Sequence, residues 1–445
     1  MMKSEDKKRA KQNVAQFFLK QYSEGRHIGR SQLLNDARPK AIDYLQTNGL
    51  PIYREEAYQH FKIDDALTHG WSINTQPAPS EEDANNYACR LTYPDAHQAF
   101  IIGGKVVTTS HSNGFFAGSI SSFIETYPQV AKQYYNQSPS ISRAPLTHLN
   151  TLFADDLFVF YIRRGTHLDA PLHIIHYPTA EGTSHTLTFP RILVVAEEDS
   201  EATLLLCDHR RNEEASAYVG AIEIFAENGA KLHYYNIEES NKETLRIMDT
   251  HITQAQGSQV LLDSITIHNG RTRNNYYCNI QAEDASLDLD GLGILDDDMA
   301  LDNWSEIQHN APNGHSDQLF KYTMNDTAVG AFSGLIYVAP HAQKTEAYQN
   351  NRNLLLSAEA KMYSKPQLEI YADDVKCSHG MTTGQLDELA VFYMQQRGIP
   401  EMEAKLMLTT AFMDDVLAKV AYEPLRERLM QTIDSRYRGL PSSCK

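Results

Sequence analysis

A turn-and-strand pattern recurs along the middle of this 445-residue chain and limits the folds it can adopt. Small and polar residues that begin at Ala196, Ala226, Ala255 and Ala282 each precede a β-rich run, and these alanines are 30, 29 and 27 residues apart. A related segment begins at Ser357. Stacked coils that bury one side produce such a repeat, whereas a β-sandwich has less reason to repeat its turn at constant spacing. The pattern therefore favours a β-solenoid.

Helical patterns flank this β-rich region. Apolar residues recur at helical spacing over 10–23, and a second helix is expected to begin near Arg38, with Pro39 in its first turn. A Pro-rich, acidic stretch over 75–86 predicts an exposed connection. Helical patterns return over 386–397 and 401–420. The sequence thus predicts a helical region over 1–90, a β-helix core over 91–376 and a helical region over 377–445.

Composition narrows the classes of function. With 40 basic and 57 acidic residues the formal net charge is −17, which disfavours nucleic acid as a general partner. The five cysteines, at 89, 207, 278, 377 and 444, are scattered and odd in number, so a reducing cytoplasm is expected rather than a disulfide framework. The charged start lacks the apolar region of a secretory signal, and no run approaches the ~20 apolar residues of a membrane helix.

The segment Leu368 to Gln385 holds the strongest candidate for chemistry. Cys377 and His379 are two residues apart, so on a strand both side chains would face one side. A thiolate and an imidazole together suit zinc, copper or iron–sulfur chemistry. The alternative is a buried thiol and a hydrogen-bonded histidine next to the helix expected after them. Asp373 and Asp374, just upstream, could orient the pair or be solvated.

Other segments are weaker candidates. His173 and His176 could meet only on a helix, and the residues around them predict a strand, on which they would face opposite sides. The carboxylates between Ile294 and Asp302 lack the spacing of a calcium loop and predict a solvated turn. The sequence contains no phosphate-binding loop of the G-x-x-x-x-G-K-[ST] type, so the chain is not expected to bind ATP in that way. No catalytic residues are predicted.

A series of ordered motifs resembles the SufB/SufD family of iron–sulfur cluster assembly scaffolds. These motifs are His309 followed by SDQLFK, the run FSGLIYVAPHAQKTEAYQNNRNLLLS that follows Gly330, KPQLEIYADDVKCSHG, and GQLDELAVFYMQQRGI. The first ~100 residues resemble the family only loosely, mainly through the segment from Gly49 to Tyr58. Within the family the chain resembles the SufD type, since the segment Asn350–Leu356 lacks the cysteine of SufB-type sequences.

The resemblance implies a right-handed parallel β-helix flanked by helical regions. It also implies a complex in which a SufB-like protein pairs with this chain and each binds a SufC-like ATPase. A nascent iron–sulfur cluster would form at the SufB–SufD interface, with His379 as this chain's ligand and Cys377 beside it. The C-terminal helices would receive the ATPase through a surface that is expected to include Gln385, Leu386, Phe392, Leu406 and Phe412.

The predicted function is therefore a non-catalytic subunit that helps to build clusters for apo-proteins. Reduced flavin is implied for the family's complex, but no residues here are identified that would hold it. Two alternatives remain at this point: a β-helix carbohydrate-active enzyme, and a structural interaction module in which Cys377 and His379 only pack. Whether a homodimer forms without the SufB-like partner is also open.

Overall fold

The computed structural model describes residues 4–25, 29, 31–53, 55–80, 95–108, 110–112, 114–178, 185–209 and 214–440. Two largely parallel sheets, of twelve and ten strands, face each other across a common interior. From residue 191 onward the chain alternates between the sheets, so each coil contributes one strand to each. About seven coils stack, with helices before and after them. This architecture confirms the predicted mainly β fold with a β-solenoid core.

The two sheets divide the strands between them. The first sheet contains β1 Ser72–Ile73, β4 Ser110–His111, β5 Phe115–Ser119, β6 Phe158–Ile162, β8 Thr186–Thr188, β9 Arg191–Ala196, β11 Ser216–Ala226, β13 Thr244–Gln254, β15 Arg271–Ile280, β17 Ala300–His309, β19 Val329–Val338 and β21 Lys361–Ile370. The second sheet contains β2 His97–Ile102, β3 Lys105–Val106, β7 Leu172–Tyr177, β10 Glu201–His209, β12 Lys231–Glu239, β14 Gln259–His268, β16 Ser286–Leu295, β18 His315–Met324, β20 Glu346–Leu355 and β22 Lys376–Gln385.

The four repeated turns that begin at Ala196, Ala226, Ala255 and Ala282 connect the first sheet to the second, whereas the related segment at Ser357 connects the second to the first. Each of the four turns places one residue in the left-handed backbone region: Asp199, Gly229, Gly257 and Asp284, with φ of 54°, 67°, 64° and 61°. Glycine adopts this conformation without a steric penalty, and aspartate tolerates it better than most residues. The turns also hydrogen-bond to one another, as where the Gly229 N–H donates to the Gln256 carbonyl. The sequence repeat therefore reflects this turn, which recurs in successive coils.

Helices from the first part of the chain cover the outer face of the first sheet. They span Ser4–Glu24, Gln32–Asn48, Ile63–Thr68, Ile120–Thr126, Pro128–Tyr134 and Pro145–Phe153, with 3₁₀ turns at Glu56–Tyr58 and Pro139–Arg143. Phe18, Leu45 and Leu149 pack with Val219 and Ile247 of the sheet. Several of these helices lie beyond residue 91, inside the region predicted as β-helix core. The predicted boundary at 90–91 and part of the predicted connection lie outside the described residues.

The second helix begins earlier than predicted. It runs from Gln32 to Asn48, and Ser31 caps its start by accepting a hydrogen bond from the Leu34 N–H at 3.4 Å. Pro39 therefore lies inside the helix and not in its first turn. The cap at Ser31 satisfies an N–H group of the first turn that has no partner within the helix, and this supports a start six residues before Arg38.

Three helices follow the last strand, and the second and third of them pack on the outer face of the second sheet. They span Glu388–Gln396, Glu401–Leu417 and Glu423–Tyr437. Met413, Val416 and Leu429 join Ile265 and Leu292 of the sheet in one buried apolar cluster. The last two helices thus pack along the side of the solenoid. None of the described helices is both long and apolar enough to cross a membrane.

The last strand extends past residue 377, where the C-terminal helical region was predicted to begin. β22 pairs with β20 over ten residues, from Glu346 with Lys376 to Leu355 with Gln385. The hydrogen-bonded ladder with β20 keeps the backbone extended through Cys377 and His379. The helix predicted over 386–397 follows this strand and runs from Glu388 to Gln396.

Candidate functional site

The last coil of the solenoid carries the Cys377–His379 pair. β21 and β22 are the terminal strands of the two sheets, so each leaves one edge without a strand partner among the described residues. Cys377 is in register with Ala347, and His379 is in register with Gln349. Ala347 belongs to the interior cluster, and Cys377 packs against that cluster. Cys377 and His379 therefore continue two inward-facing columns, and β22 places both side chains on one face as strand geometry predicts.

The inward face of this coil is largely uncovered. In β20 the inward residues Ala347, Gln349 and Asn351 are buried by the next coil. In β22 Cys377 is half-buried and His379 is exposed. Met381, the next inward residue, keeps 49% of its surface accessible. The solenoid thus ends on an exposed row that carries a thiol, an imidazole and a thioether.

The surroundings of Cys377 favour the neutral thiol over the thiolate. Burial raises the pKa of Cys377, and a hydrogen bond from the backbone of Ala347 only partly opposes this. The pKa-lowering effect of a helix N-terminus does not apply, because the next helix begins at Glu388. Asp373 and Asp374 lie in the turn before β22, where the Asp374 N–H donates to Gln343 Oε1 at 2.9 Å. A metal or a nearby cation would have to stabilise the Cys377 thiolate.

The residues predicted to bind the ATPase differ in exposure. Gln385 is exposed at the end of β22, and Leu386 is half-buried after it. Phe392 keeps 57% of its surface accessible, but Leu406 keeps only 8%. Phe412 packs against the solenoid, and Lys321 Nζ lies 4.6 Å from the centre of its ring. Of these five, Gln385 and Phe392 are the ones presented to solvent.

Other apolar side chains on the same helices are also exposed, and Leu389 and Met402 among them are more exposed than any apolar residue of the predicted set. Leu389 keeps 77% of its surface accessible and Met402 keeps 76%, and Tyr393 and Met407 are also exposed. A cleft of about 770 Å³ lies between these helices and the second sheet, and Leu386, Met402 and Leu406 are among the residues that line it. Several large exposed apolar side chains on neighbouring helices are typical of protein-binding surfaces.

A second group of metal-type donors lies elsewhere, on β7 and β10. Potential ligand atoms of His173, Cys207 and His209 all lie within 4.8 Å of one another, and the three residues are buried. Burial, together with the neighbouring His209, lowers the pKa of His173 to about 3, so this ring is neutral at physiological pH. The sequence reasoning missed the cluster because it considered His173 only with His176. The sequence feature that could have indicated this cluster is the tripeptide 207–209, a second Cys-x-His on a strand.

His176 faces the interior and belongs to a different network, as the strand prediction requires. Its Nδ1 atom lies 2.5 Å from Asp208 Oδ1, and Asp208 also accepts hydrogen bonds from Tyr218 at 2.7 Å and Arg246 at 2.8 Å. Burial alone would raise the pKa of Asp208, but the charge of Arg246 and the contacts with His176 and Tyr218 outweigh it and hold this pKa below its usual range. This network fills the first coils with paired polar groups.

The carboxylates between Ile294 and Asp302 form structural contacts. Asp296 pairs with Arg436 of the last helix at 2.8 Å. Asp297 takes the left-handed conformation of a turn, with φ of 49°, and its N–H donates to Asp326. Asp302 pairs with the buried Arg273 at 2.5 Å. The carboxylates of Asp296 and Asp302 thus form structural ion pairs, whereas the side chain of Asp297 is exposed in the turn.

Comparison with known protein families gives two consecutive matches that together span most of the chain. Residues 178–412 match the family described as "SUF system FeS cluster assembly, SufBD core domain". Residues 9–174 match the "SufBD protein N-terminal region". The relation therefore extends through the N-terminal helices, which the sequence motifs had linked to the family only loosely.

Individual proteins are similar to this chain over most of its length, and some of them are named for iron–sulfur cluster assembly. A SufBD family protein of Synechocystis, slr0076, is 27% identical over 426 residues, which cover 91% of each chain. The iron–sulfur cluster assembly protein SufD of Escherichia coli is 27% identical over 408 residues, 90% of this chain and 93% of its own. The chloroplastic protein ABCI7 of Arabidopsis thaliana is 28% identical over 406 residues, 89% of this chain and 84% of its own. This chain belongs to the SufBD family of iron–sulfur cluster assembly proteins and is SufD-like within it.

Proposed function

We propose that this chain is the SufD-type scaffold of a heteromeric assembly complex, in which its last coil meets a SufB-like protein and its C-terminal helices bind a SufC-like ATPase. The observation that carries the proposal is the uncovered row of β22. A solenoid normally needs a cap at its end, because an exposed terminal repeat leaves an apolar face in water. Here the terminal coil exposes Met381 beside two metal-type donors.

The edges of this coil favour a partner that adds strands. β21 and β22 are ten residues long, and long unpaired edges are sites of strand addition unless they are blocked. A second solenoid end could pair with both edges at once and cover the row beneath. The SufB-like protein is the partner that the family resemblance implies for this position.

Ligand number supports a cluster shared between subunits. Cys377 and His379 provide two donors, whereas an iron–sulfur cluster usually has four protein ligands. The remaining ligands would come from the partner, so the cluster is cargo built at the interface. His379 is the principal ligand that the resemblance implies, and its exposed ring is accessible to an incoming iron. We expect the isolated chain to hold iron or a cluster poorly.

The surface proposed for the ATPase is the exposed apolar part of the Glu388–Gln396 and Glu401–Leu417 helices. Leu389, Phe392 and Met402 offer a large exposed apolar area, and aromatic residues and methionine are enriched in protein interfaces. The non-catalytic role fits the lack of a phosphate-binding loop motif in the sequence. Scattered cysteines suit a cytoplasmic complex that passes clusters to apo-proteins.

The SufB-like interface is tested by paired substitutions on β22. Met381→Lys places a charge on the inward row, whereas Thr382→Lys places the same charge on the outward face one residue away. We expect Met381→Lys to abolish co-purification of the SufB-like protein and Thr382→Lys to retain it, with both variants folded by circular dichroism. Equal retention by the two variants would contradict the proposed interface. A dimer of the isolated chain that Met381→Lys disrupts would show that a second copy can use the same end.

The ATPase surface is tested separately. Phe392→Asp should remove co-purification of the SufC-like ATPase while leaving the SufB-like protein bound. Met430→Asp is the control, because Met430 is a similarly exposed apolar residue on the last helix, with 44% of its surface accessible. Retention of the ATPase by Phe392→Asp would overturn this assignment without affecting the interface at β22.

A further inference from the structure

The cluster of His173, Cys207 and His209 lies on the outer face of the second sheet, near the opposite end of the solenoid from β22. β7 and β10 are parallel neighbours, with His173 in register with Leu205. Leu205 and Cys207 both belong to the apolar cluster beneath the C-terminal helices, so this face points outward. Alternation along the strand places His209 on the same face as Cys207. The register thus brings together donors that are 34 to 36 residues apart in the sequence.

Burial gives the three donors a protected environment. His173 is fully buried, Cys207 keeps 2% of its surface accessible and His209 keeps 5%. Apolar neighbours such as Leu205 and Ile237 share the cluster that contains Cys207. Electrostatic attraction between an ion and its ligands is stronger in such surroundings than in water. The surroundings also restrict the exchange of a bound ion with solvent.

We propose that His173, Cys207 and His209 form a zinc-binding site that clips β7 to β10. One thiolate and two imidazoles match the donor types of zinc sites, whereas calcium and magnesium require oxygen ligands. Bond lengths of about 2.0 Å to nitrogen and 2.3 Å to sulfur place neighbouring ligand atoms roughly 3.5 Å apart in a tetrahedron. The potential ligand atoms of the three residues lie within 4.8 Å of one another, so closing to that spacing requires shifts of about 1 Å.

Zinc binding would require the loss of one proton, from Cys207. The Cys207 thiol releases its proton to solvent as the sulfur–zinc bond forms, and each histidine donates a ring-nitrogen lone pair. Three protein ligands leave a fourth tetrahedral position for water or another small ligand. The site is independent of the cluster interface, because β10 and β22 are six strand spacings apart in the sheet, or about 30 Å. Its role is to fix the first coils of the solenoid.

Zinc content of the full-length chain tests the proposal. After incubation with zinc chloride and dialysis against a weak chelator, the wild-type chain should retain one zinc ion per molecule by mass spectrometry of the metal. Cys207→Ser and His209→Gln should each weaken zinc binding by at least about 100-fold, since even outer-shell changes cost 10- to 100-fold. Cys377→Ser with His379→Ala is the matched control and should leave zinc content unchanged. Wild-type chain without retained zinc would overturn the proposal.

A second measurement keeps the proposal testable if the buried variants fail to fold. Cobalt(II) bound through a thiolate gives a charge-transfer absorption band, so it reports on sulfur ligation directly. A variant in which Cys89, Cys278, Cys377 and Cys444 are replaced by alanine retains Cys207 as its one cysteine. This variant should bind cobalt with the same band as wild type. Loss of the band, or a zinc content in wild type that follows Cys377 and His379, would refute the site.

Discussion

The molecule contains two Cys-x-His tripeptides on strands of the same sheet, and their surroundings are opposite. Cys207 and His209 in β10 face outward and are buried beneath the C-terminal helices. Cys377 and His379 in β22 face inward, yet the row is exposed because no further coil covers it. Exposure is thus decided by the position of the coil in the stack and by what packs on each face. The Cys-x-His sequence alone does not determine whether its side chains are exposed.

The middle residues of the two tripeptides, Asp208 and Ser378, also differ in burial. Asp208 faces the interior and accepts hydrogen bonds from Tyr218 and Arg246, and it pairs with His176. Ser378 faces outward and is exposed. One end of the solenoid is therefore fixed by buried charge pairs, and the other end is left available for a partner. The following predictions are ordered from the largest expected effect on stability to the smallest.

Asp208→Ala should destabilise the fold by about 3–5 kcal/mol, because it leaves the buried Arg246 guanidinium without its carboxylate. Ser378→Ala, at the middle position of the other tripeptide, should stay within about 0.5 kcal/mol of wild type, because Ser378 is exposed. Unfolding by guanidinium chloride, followed by circular dichroism, measures both. A loss below about 1 kcal/mol for Asp208→Ala would mean that the buried network does not hold the first coils together.

The interior near the first coils should also make stability depend on pH. Burial raises the pKa of Glu238 to about 7 from 4.5, despite the opposing effect of Arg246 and a 2.7 Å hydrogen bond from Thr272. The folded state therefore retains a proton that the unfolded chain releases, and the resulting stability is full below about pH 4.5 and lost as pH rises through 7. The loss amounts to about 3 kcal/mol.

Glu238→Gln should remove this contribution, because the amide does not titrate. Unfolding free energies measured at half-unit steps from pH 4.5 to 8 should fall less steeply for the variant than for wild type. Parallel curves for the two proteins would show that Glu238 is ionised in the folded state across this range, contrary to the pKa shift. Glu283, whose side chain lies in a surface turn, provides a control substitution to glutamine.

Thiol accessibility should separate the two cysteines. Cys377 is half-buried at the exposed end, whereas Cys207 becomes accessible only when the C-terminal helices or the strand open. An alkylating reagent should modify Cys207 at least about 100-fold more slowly than Cys377, which corresponds to a free energy of opening of about 3 kcal/mol. Peptide mass spectrometry over time gives both rates in one sample. Comparable rates would contradict the difference in burial.

Much of the fold was predictable because each coil repeats the same local requirement. The left-handed position occupied by Asp199 and Gly229 needs particular residues, so the sequence had to repeat them. The placement of Cys377 and His379 on one face also followed from strand geometry alone. The length of β22 was not predictable in this way, since Gly380 and Gly384 weaken the strand pattern and pairing with β20 decides the outcome.

The features that could not be predicted depend on contacts between strands of different coils and between helix and sheet. His173 meets Cys207 and His209 because two strands share a register, and that register is set by turns outside the cluster. The burial of Leu406 depends on which side of the Glu401–Leu417 helix meets the sheet, and an apolar set spread around the helix does not reveal it. Family motifs supplied the proposed role of His379, which local chemistry left open.

Replacement of His379 tests the central claim most directly. His379→Ala should change stability by less than about 1 kcal/mol, because the ring is exposed. The purified complex should retain its SufB-like and SufC-like subunits but fail to assemble a cluster when loaded anaerobically with iron and sulfide. Cells that depend on this gene should grow poorly under iron limitation, and Cys377→Ser should have a milder effect. Normal cluster loading and full growth with His379→Ala would contradict the ligand role, and loss of the complex would make His379 a structural residue.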